Sequence, residues 1–122
     1  MQYNDLTRRR FAELRHAGTL SGGELRRGSA GSRSAGTWVQ FDVVSSVDGR
    51  VGAVSFLAYG CPHVLAVADF VAEAALGRLS DGKLPEPLQA LVARFDVPVE
   101  KLGRLLIVED AWIAALAAPC CG

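Results

Sequence analysis

Residues 59–76 read YGCPHVLAVADFVAEAAL, a cysteine and a proline followed by an almost unbroken apolar run. Proline is favoured at the first position of a helix, so Pro62 makes Cys61 the expected N-cap residue. Because only three polar residues interrupt the run before Gly77, the pattern predicts a buried helix over 61–76. Free N–H groups at such a helix start favour a thiolate. The stretch therefore predicts a metal or sulfur site at Cys61, with a simple packing thiol as the alternative.

Composition limits the classes of partner. With 122 residues, half of them hydrophobic, the chain predicts a single domain over 1–122. Thirteen Lys and Arg balance thirteen Asp and Glu, so no overall field attracts nucleic acid or a membrane surface. The N-terminus has no charged-then-apolar leader, and no apolar run reaches the roughly 18 residues of a membrane span. We therefore expect a cytoplasmic protein, in which a reducing environment keeps Cys61 free.

The rest of the chain predicts an α+β fold. Its strongest strand signal is a hairpin, with alternating apolar residues at 39–43, a turn at Asp48-Gly49 and a second strand at 51–58. The other expected elements are a helix from Asn4 or Asp5 to His16, an edge strand in 18–27, a flexible loop at 28–36, and helices at 88–95 and 99–118. Strands followed by helices predict a three-stranded antiparallel sheet with helices packed on one face.

Three short motifs occur in a specific order along the chain. They are a tyrosine-led opening at Tyr3, the sequence Tyr-Gly-Cys at 59–61 and the sequence Val-Glu-Asp-Ala at 108–111. Together they resemble the U-type iron–sulfur cluster assembly scaffolds, the IscU and NifU N-terminal family. This resemblance covers most of the chain. It implies a SufE/NifU-like fold and the function of a divergent, non-enzymatic scaffold-like protein.

The resemblance also implies a set of cluster ligands, and most of these residue types are missing from the corresponding positions of this chain. Family scaffolds hold a cluster with three cysteines, an aspartate and a histidine, and the middle cysteine corresponds to Cys61. The family's Cys-Gly-Asp corresponds to residues 35–37, where Ala35 and Thr37 supply neither thiolate nor carboxylate. Its His-Cys corresponds to Gly103 and Arg104, and arginine is a permanent cation without a lone pair to offer a metal. Cys61 is thus the expected remaining ligand for iron or an iron–sulfur cluster.

Other cysteine and histidine residues have alternative interpretations. His63 is either a second ligand beside Cys61 or a ring that faces solvent or caps a carbonyl. If 99–118 is one helix, Cys120 lies about 24 Å beyond position 104. We therefore expect Cys120 and Cys121 in a solvated tail, unless the tail folds back or a second subunit donates these thiols.

The remaining charged groups are expected to have structural roles. Asp69 and Glu73 lie four apart on one helix face, where a solvated or salt-bridged edge is favoured over acid–base chemistry. The arginines at 8–10 are expected to form a solvated face, with contact to an acidic partner as the alternative. Residues 97–101 match the family's chaperone-recognition segment, Leu-Pro-Pro-Val-Lys, only in part, so chaperone handover is not expected.

Three functions are consistent with these residues. The first is a divergent scaffold that binds iron or a cluster through Cys61, with ligands from a partner subunit in a homo-oligomer. The second is a sulfur acceptor that receives a persulfide at Cys61 from a cysteine desulfurase, since one activated thiol is sufficient and Arg104 would stabilise its anion. The third is a non-catalytic adapter or regulator that binds a cysteine desulfurase or a true scaffold.

Overall fold

The computed structural model describes residues 3–21, 24–46 and 48–119. Its elements in chain order are α1 (Asp5–Ala12), β1 (Leu25–Ser32), β2 (Thr37–Ser45), β3 (Val51–Tyr59), α2 (Pro62–Ala75), α3 (Leu88–Phe95), a 3-10 turn (Val99–Lys101) and α4 (Leu102–Ala117). The strands form an antiparallel sheet in the order β1-β2-β3. The predicted α+β class, the central hairpin and the buried helix after Cys61 are confirmed.

The core lies between one face of the sheet and the helices. Alternate residues of β2, Val39, Phe41 and Val43, are fully buried on this face. Helix α4 packs on β1 and β2, helix α2 packs on β3, and α1 and α3 pack on α2. The Trp112 ring on α4 meets the Phe41 ring edge-to-face, with centroids 5.2 Å apart. No helix among the described residues is long and apolar enough to cross a membrane.

The predicted flexible loop over 28–36 is wrong, because most of it is strand. β1 continues to Ser32, and only the four residues before β2 form the turn. Gly28 faces α4 so closely that an added Cβ atom would lie 2.1 Å from the backbone nitrogen of Ala115. The small residues that are typical of a flexible loop thus serve close packing of a strand against a helix.

Helix α1 ends at Ala12, earlier than the predicted end at His16. The chain must become extended there, because residues 16–18 pair with the outer edge of β3. The Phe56 N–H donates to the His16 carbonyl at 2.9 Å, and the Gly18 N–H donates to the Phe56 carbonyl at 2.8 Å. These two backbone hydrogen bonds to β3 replace the hydrogen bonds that a longer α1 would make. They are tertiary contacts that local periodicity does not contain.

Asp42 connects this extended segment to the sheet. Its buried carboxylate accepts two hydrogen bonds from the Arg27 guanidinium, at 2.7 and 2.9 Å, and one from the Leu20 N–H at 2.9 Å. Burial alone would raise the pKa of Asp42, but these hydrogen bonds outweigh burial and hold the pKa below its usual value. The charged form is therefore the one that stabilises the fold.

Replacing Asp42 with asparagine is expected to lower the free energy of unfolding at neutral pH by about 2 kcal/mol, since bonds to a charged acceptor are lost. Because the folded-state pKa of Asp42 is depressed, its contribution is complete above the unfolded-state pKa and disappears as the pH falls through the folded-state pKa. Urea unfolding of both proteins across acidic and neutral pH measures this. A stability difference that stays constant with pH contradicts the assignment.

Candidate functional site

Cys61 stands at the junction of β3 and α2. Its backbone is extended, with φ −81° and ψ 168°, and Pro62 takes the first helical position, so the predicted N-cap is confirmed. Gly60 allows this sharp entry, since an added Cβ atom would lie 3.3 Å from the Val64 side chain. The thiol makes no capping hydrogen bond of regular geometry. It is partly buried, so an approaching partner can reach it.

Positive charge surrounds this thiol. Burial alone would raise the pKa of Cys61, but interactions with helix-start N–H groups and nearby cations outweigh burial and lower the pKa below its usual value. The N–H of Val64 at the helix start, a hydrogen bond from the Arg104 side chain and the charge of Lys101 all favour the thiolate. Arg104, which the family resemblance aligns with a ligand position, thus contributes to the positive field at Cys61.

Lys101 is a buried cation without a carboxylate partner. Lys101 is only 6% exposed. Its Nζ atom lies 3.1 Å from His63 Nδ1 and 5.0 Å from the centre of the Tyr3 ring. No Asp or Glu pairs with it in the part of the chain that the structure describes. An unpaired buried charge is costly, and the Cys61 thiolate is an anion within its field.

His63 supports this lysine instead of binding solvent. The residue is 1% exposed, so the predicted solvent-facing ring is wrong. Burial, followed by the charge of Lys101, lowers the pKa of His63, so the ring is neutral at physiological pH. An ammonium group has only donors, so Nδ1 accepts and the ring hydrogen lies on Nε2, which has no hydrogen-bond partner among the described residues. Tyr3 packs edge-to-face on this ring, with centroids 4.6 Å apart.

Residues 35–37, which the family resemblance aligns with a ligand segment, lie at the same end of the sheet as Cys61. Trp38 pairs with Tyr59 across β2 and β3, so the β1–β2 turn that carries residues 35–37 is next to the strand end that leads into Cys61. Within residues 3–21, 24–46 and 48–119, no group of three or more His, Cys, Asp or Glu side chains is arranged to hold a metal ion. The predicted tail thiols, Cys120 and Cys121, lie outside the described residues.

Asp69 and Glu73 belong to a separate ion-pair cluster. Arg10 of α1 donates to Asp69 Oδ2 at 3.0 Å and to Glu73 Oε2 at 2.6 Å, and the His16 N–H donates to Asp69 Oδ1 at 2.9 Å. Asp69 is completely buried, whereas the Glu73 side chain is 43% exposed. The salt-bridged interpretation is therefore confirmed, and this cluster fastens α1 to α2 away from the thiol.

Two members of the site were not identified as such from sequence. Lys101 had a signal only as the lysine of a partial chaperone-segment match, and Tyr3 only as part of the family's opening. Their contacts with His63 join three separate parts of the chain. The local sequence pattern cannot reveal these contacts, because they form only when the start of α4 packs beside the start of α2.

Comparison with known families gives one match over nearly the whole chain. Residues 2–117 match the model of the NifU-like N terminal domain. No curated protein sequence matches the chain at a significant level.

Solved structures share this fold at low identity. A proposed iron–sulfur cluster assembly scaffold protein for the SUF system from Fervidobacterium islandicum AW-1 is 13% identical, with a TM-score of 0.76 over 93% of this chain and 96% of that one. A hypothetical protein is 15% identical, with a TM-score of 0.67 over 91% and 93% of the two chains. The N-terminal part of a nitrogen-fixing NifU-like protein from Brucella abortus is 15% identical, with a TM-score of 0.55 over 93% of this chain and 76% of that one. At these identities the likeness concerns the fold alone.

Proposed function

Since the chain belongs to the NifU-like N-terminal domain family and shares its scaffold-like function in iron–sulfur cluster assembly, we propose that Cys61 accepts sulfane sulfur as a persulfide. The observation that carries this proposal is the position of Cys61 at the N-terminus of α2, where helix-start N–H groups and the cations of Arg104 and Lys101 lower the pKa of its thiol. Both cations favour a negatively charged sulfur. Before transfer this sulfur is the reactive Cys61 thiolate, and after transfer it is the deprotonated persulfide.

The donor set does not fit a cluster held by this chain's described residues. Iron–sulfur clusters use about four ligands, mainly thiolates, and Cys61 supplies one. Arg104 and Lys101 place positive charge where ferrous or ferric iron would have to bind, and His63 Nδ1 already faces the Lys101 ammonium. Iron binding through Cys61 therefore requires ligands from another subunit or from residues outside the described ranges. Such binding is the competing outcome in the experiments below.

Sulfur acceptance, in contrast, needs only one thiolate. The Cys61 thiolate attacks the terminal sulfur of a persulfide on a cysteine desulfurase, a new S–S bond forms, and the donor's S–S bond breaks. The donor cysteine leaves as a thiolate, and the new Cys61 persulfide then releases its proton to solvent. The sulfane sulfur keeps its oxidation state, so the step needs no oxidant or reductant. The protein acts as a stoichiometric carrier and not as an enzyme.

Incubation with a cysteine desulfurase and cysteine tests this proposal. We expect intact-protein mass spectrometry to show one added sulfur atom, which dithiothreitol removes. The Cys61→Ala variant should remain unmodified, whereas a variant with serine at positions 120 and 121 should load fully. Absence of the added mass, or equal loading of Cys61→Ala, contradicts sulfur acceptance at this thiol.

A further inference from the structure

Helix α4 has a second apolar side, which is turned away from the sheet. Its inner side packs on β1 and β2, and Leu105, Val108 and Trp112 are buried there. Four large apolar side chains of α4 and of the turn before it are instead 39% to 86% exposed: Val99, Leu102, Leu106 and Ile113. A helix that is apolar on both sides is normally covered on both sides. The outer side of α4 therefore has the character of a contact surface.

The exposed residues follow the spacing of a coiled-coil contact. Positions 99, 102, 106, 109 and 113 are separated by alternating steps of three and four, which place them on one side of a helix. We call these five positions the outer seam. From Leu102 to Ile113 the helix rises roughly 16 Å, or about three turns. The outer seam thus has the length and the pattern that one partner helix would contact.

Glu109 is the polar residue of the outer seam. It is half-buried and comes between Leu106 and Ile113 along the seam. Neither Glu109 nor its exposed neighbour Asp110 has an ion-pair partner in the part of the chain that the structure describes. A helix that covered the outer seam would exclude water from the Glu109 carboxylate, and an unpaired buried carboxylate is costly. A suitable partner must therefore supply a cation at this position.

A second copy of this chain does not supply that cation. If two α4 helices pair in parallel, Glu109 faces Glu109 of the second copy. If they pair antiparallel, with Leu102 against Ile113 of the second copy, the same offset places Glu109 against Leu106 in both halves of the contact. Either arrangement buries two unpaired carboxylates, so the charge of the outer seam favours a different protein as its partner.

We propose that the outer seam binds an amphipathic helix of another protein, which carries apolar residues at heptad spacing and one Lys or Arg opposite Glu109. The apolar residues of that helix would cover Leu102, Leu106 and Ile113, and its cation would pair with the Glu109 carboxylate. A single polar position in such a contact fixes the register, so this pair would select one partner among apolar helices. Binding at the outer seam does not depend on the thiol, so Cys61→Ala should bind as the unmodified protein does.

Fluorescence anisotropy with two synthetic helical peptides tests the proposal. Both have three heptads with leucine at the a and d positions, except that the central d position is lysine in one and glutamate in the other. The labelled peptides are kept at nanomolar concentration, so that they stay monomeric. We expect saturable binding of the lysine peptide, with the glutamate peptide about tenfold weaker. Absence of saturable binding, or equal affinity of the two peptides, overturns the proposal.

Matched variants separate the charge from the apolar contact. Glu109→Lys should reverse the preference, so that the glutamate peptide binds more tightly. Replacing Leu106 and Ile113 together with glutamine should weaken the lysine peptide about tenfold, whereas Leu57→Gln, at a similarly exposed leucine on the opposite face of the sheet, should not. These side chains are exposed or half-buried, so unchanged urea midpoints are the check on folding.

Two results with these variants would contradict the proposal. One is a preference for the lysine peptide that persists in Glu109→Lys. The other is a dimer of the unmodified protein in sedimentation that Leu106→Gln dissociates, since that result would assign the outer seam to a second copy.

Discussion

Replacing Lys101 with methionine and Arg104 with glutamine together is expected to slow alkylation of Cys61 at pH 7 by about tenfold. Both cations lower the pKa of the thiol, and iodoacetamide reacts with the thiolate. Each single variant should show a smaller decrease. The pH at which half-maximal alkylation occurs should move upward in the same order.

The measurement requires a protein with one reactive thiol, so Cys120 and Cys121 are replaced with serine in every variant. Arg9→Gln is the matched control, because it removes an exposed arginine that lies outside the site. Lys101→Met should change the free energy of unfolding only slightly, since it removes a buried cation without a carboxylate partner but leaves His63 Nδ1 without its hydrogen bond. An alkylation profile in the double variant that equals the control would refute the role assigned to these cations.

Gly28→Ala is expected to produce the largest loss of stability, about 3 kcal/mol or more. Its Cβ atom would lie 2.1 Å from the backbone nitrogen of Ala115 and 2.6 Å from the Cα atom of the same residue. Backbone atoms in the last turn of α4 cannot move as a flexible side chain can, so this end of the helix would have to shift away from β1. Urea unfolding measures the difference.

Gly103→Ala is the matched control for this substitution. Gly103 lies in the first turn of α4, and an added Cβ atom would meet nothing within 4 Å. Alanine is the better helix former, so this variant should be about 0.5–1 kcal/mol more stable. Equal effects of the two substitutions would mean that β1 and α4 are not in the close contact described.

The parts of the fold that sequence predicts are those with strong local signals. Pro62 after Cys61, the apolar run and Gly77 define α2 at both ends, and the Asp48-Gly49 turn defines the hairpin. The same local reasoning misassigns β1, because glycine and serine are typical of loops. Here Gly28 is required by a helix more than 80 positions further along the chain, a contact that no local window contains.

The site, too, has residues that sequence identifies and contacts that only the fold reveals. Cys61 was identified from its own surroundings, and Arg104 from its correspondence to a family position. The contact between Lys101 and His63 spans 38 positions and depends on two helices packing side by side. Arg10 and Asp69 are 59 positions apart, so the helix pattern around Asp69 could not show which basic residue pairs with it.

The charges around Cys61 distinguish cluster assembly from sulfur transfer. A site that assembles a cluster needs several converging anionic ligands, which a cation among them would oppose. Around Cys61 the described residues provide one thiol, two cations and a neutral histidine. This arrangement stabilises a single negative sulfur and attracts no cation, as expected of a carrier that transfers sulfur to another protein.

Sulfur acceptance and iron binding at Cys61 can be distinguished in a single experiment. The protein with serine at positions 120 and 121 is incubated without oxygen with a cysteine desulfurase, cysteine and ferrous iron, and its native mass spectrum is recorded. We expect a species with one added sulfur on Cys61 and no iron, which is absent in Cys61→Ala. An iron-containing species without persulfide, or a protein that acquires neither sulfur nor iron, would contradict sulfur acceptance at Cys61.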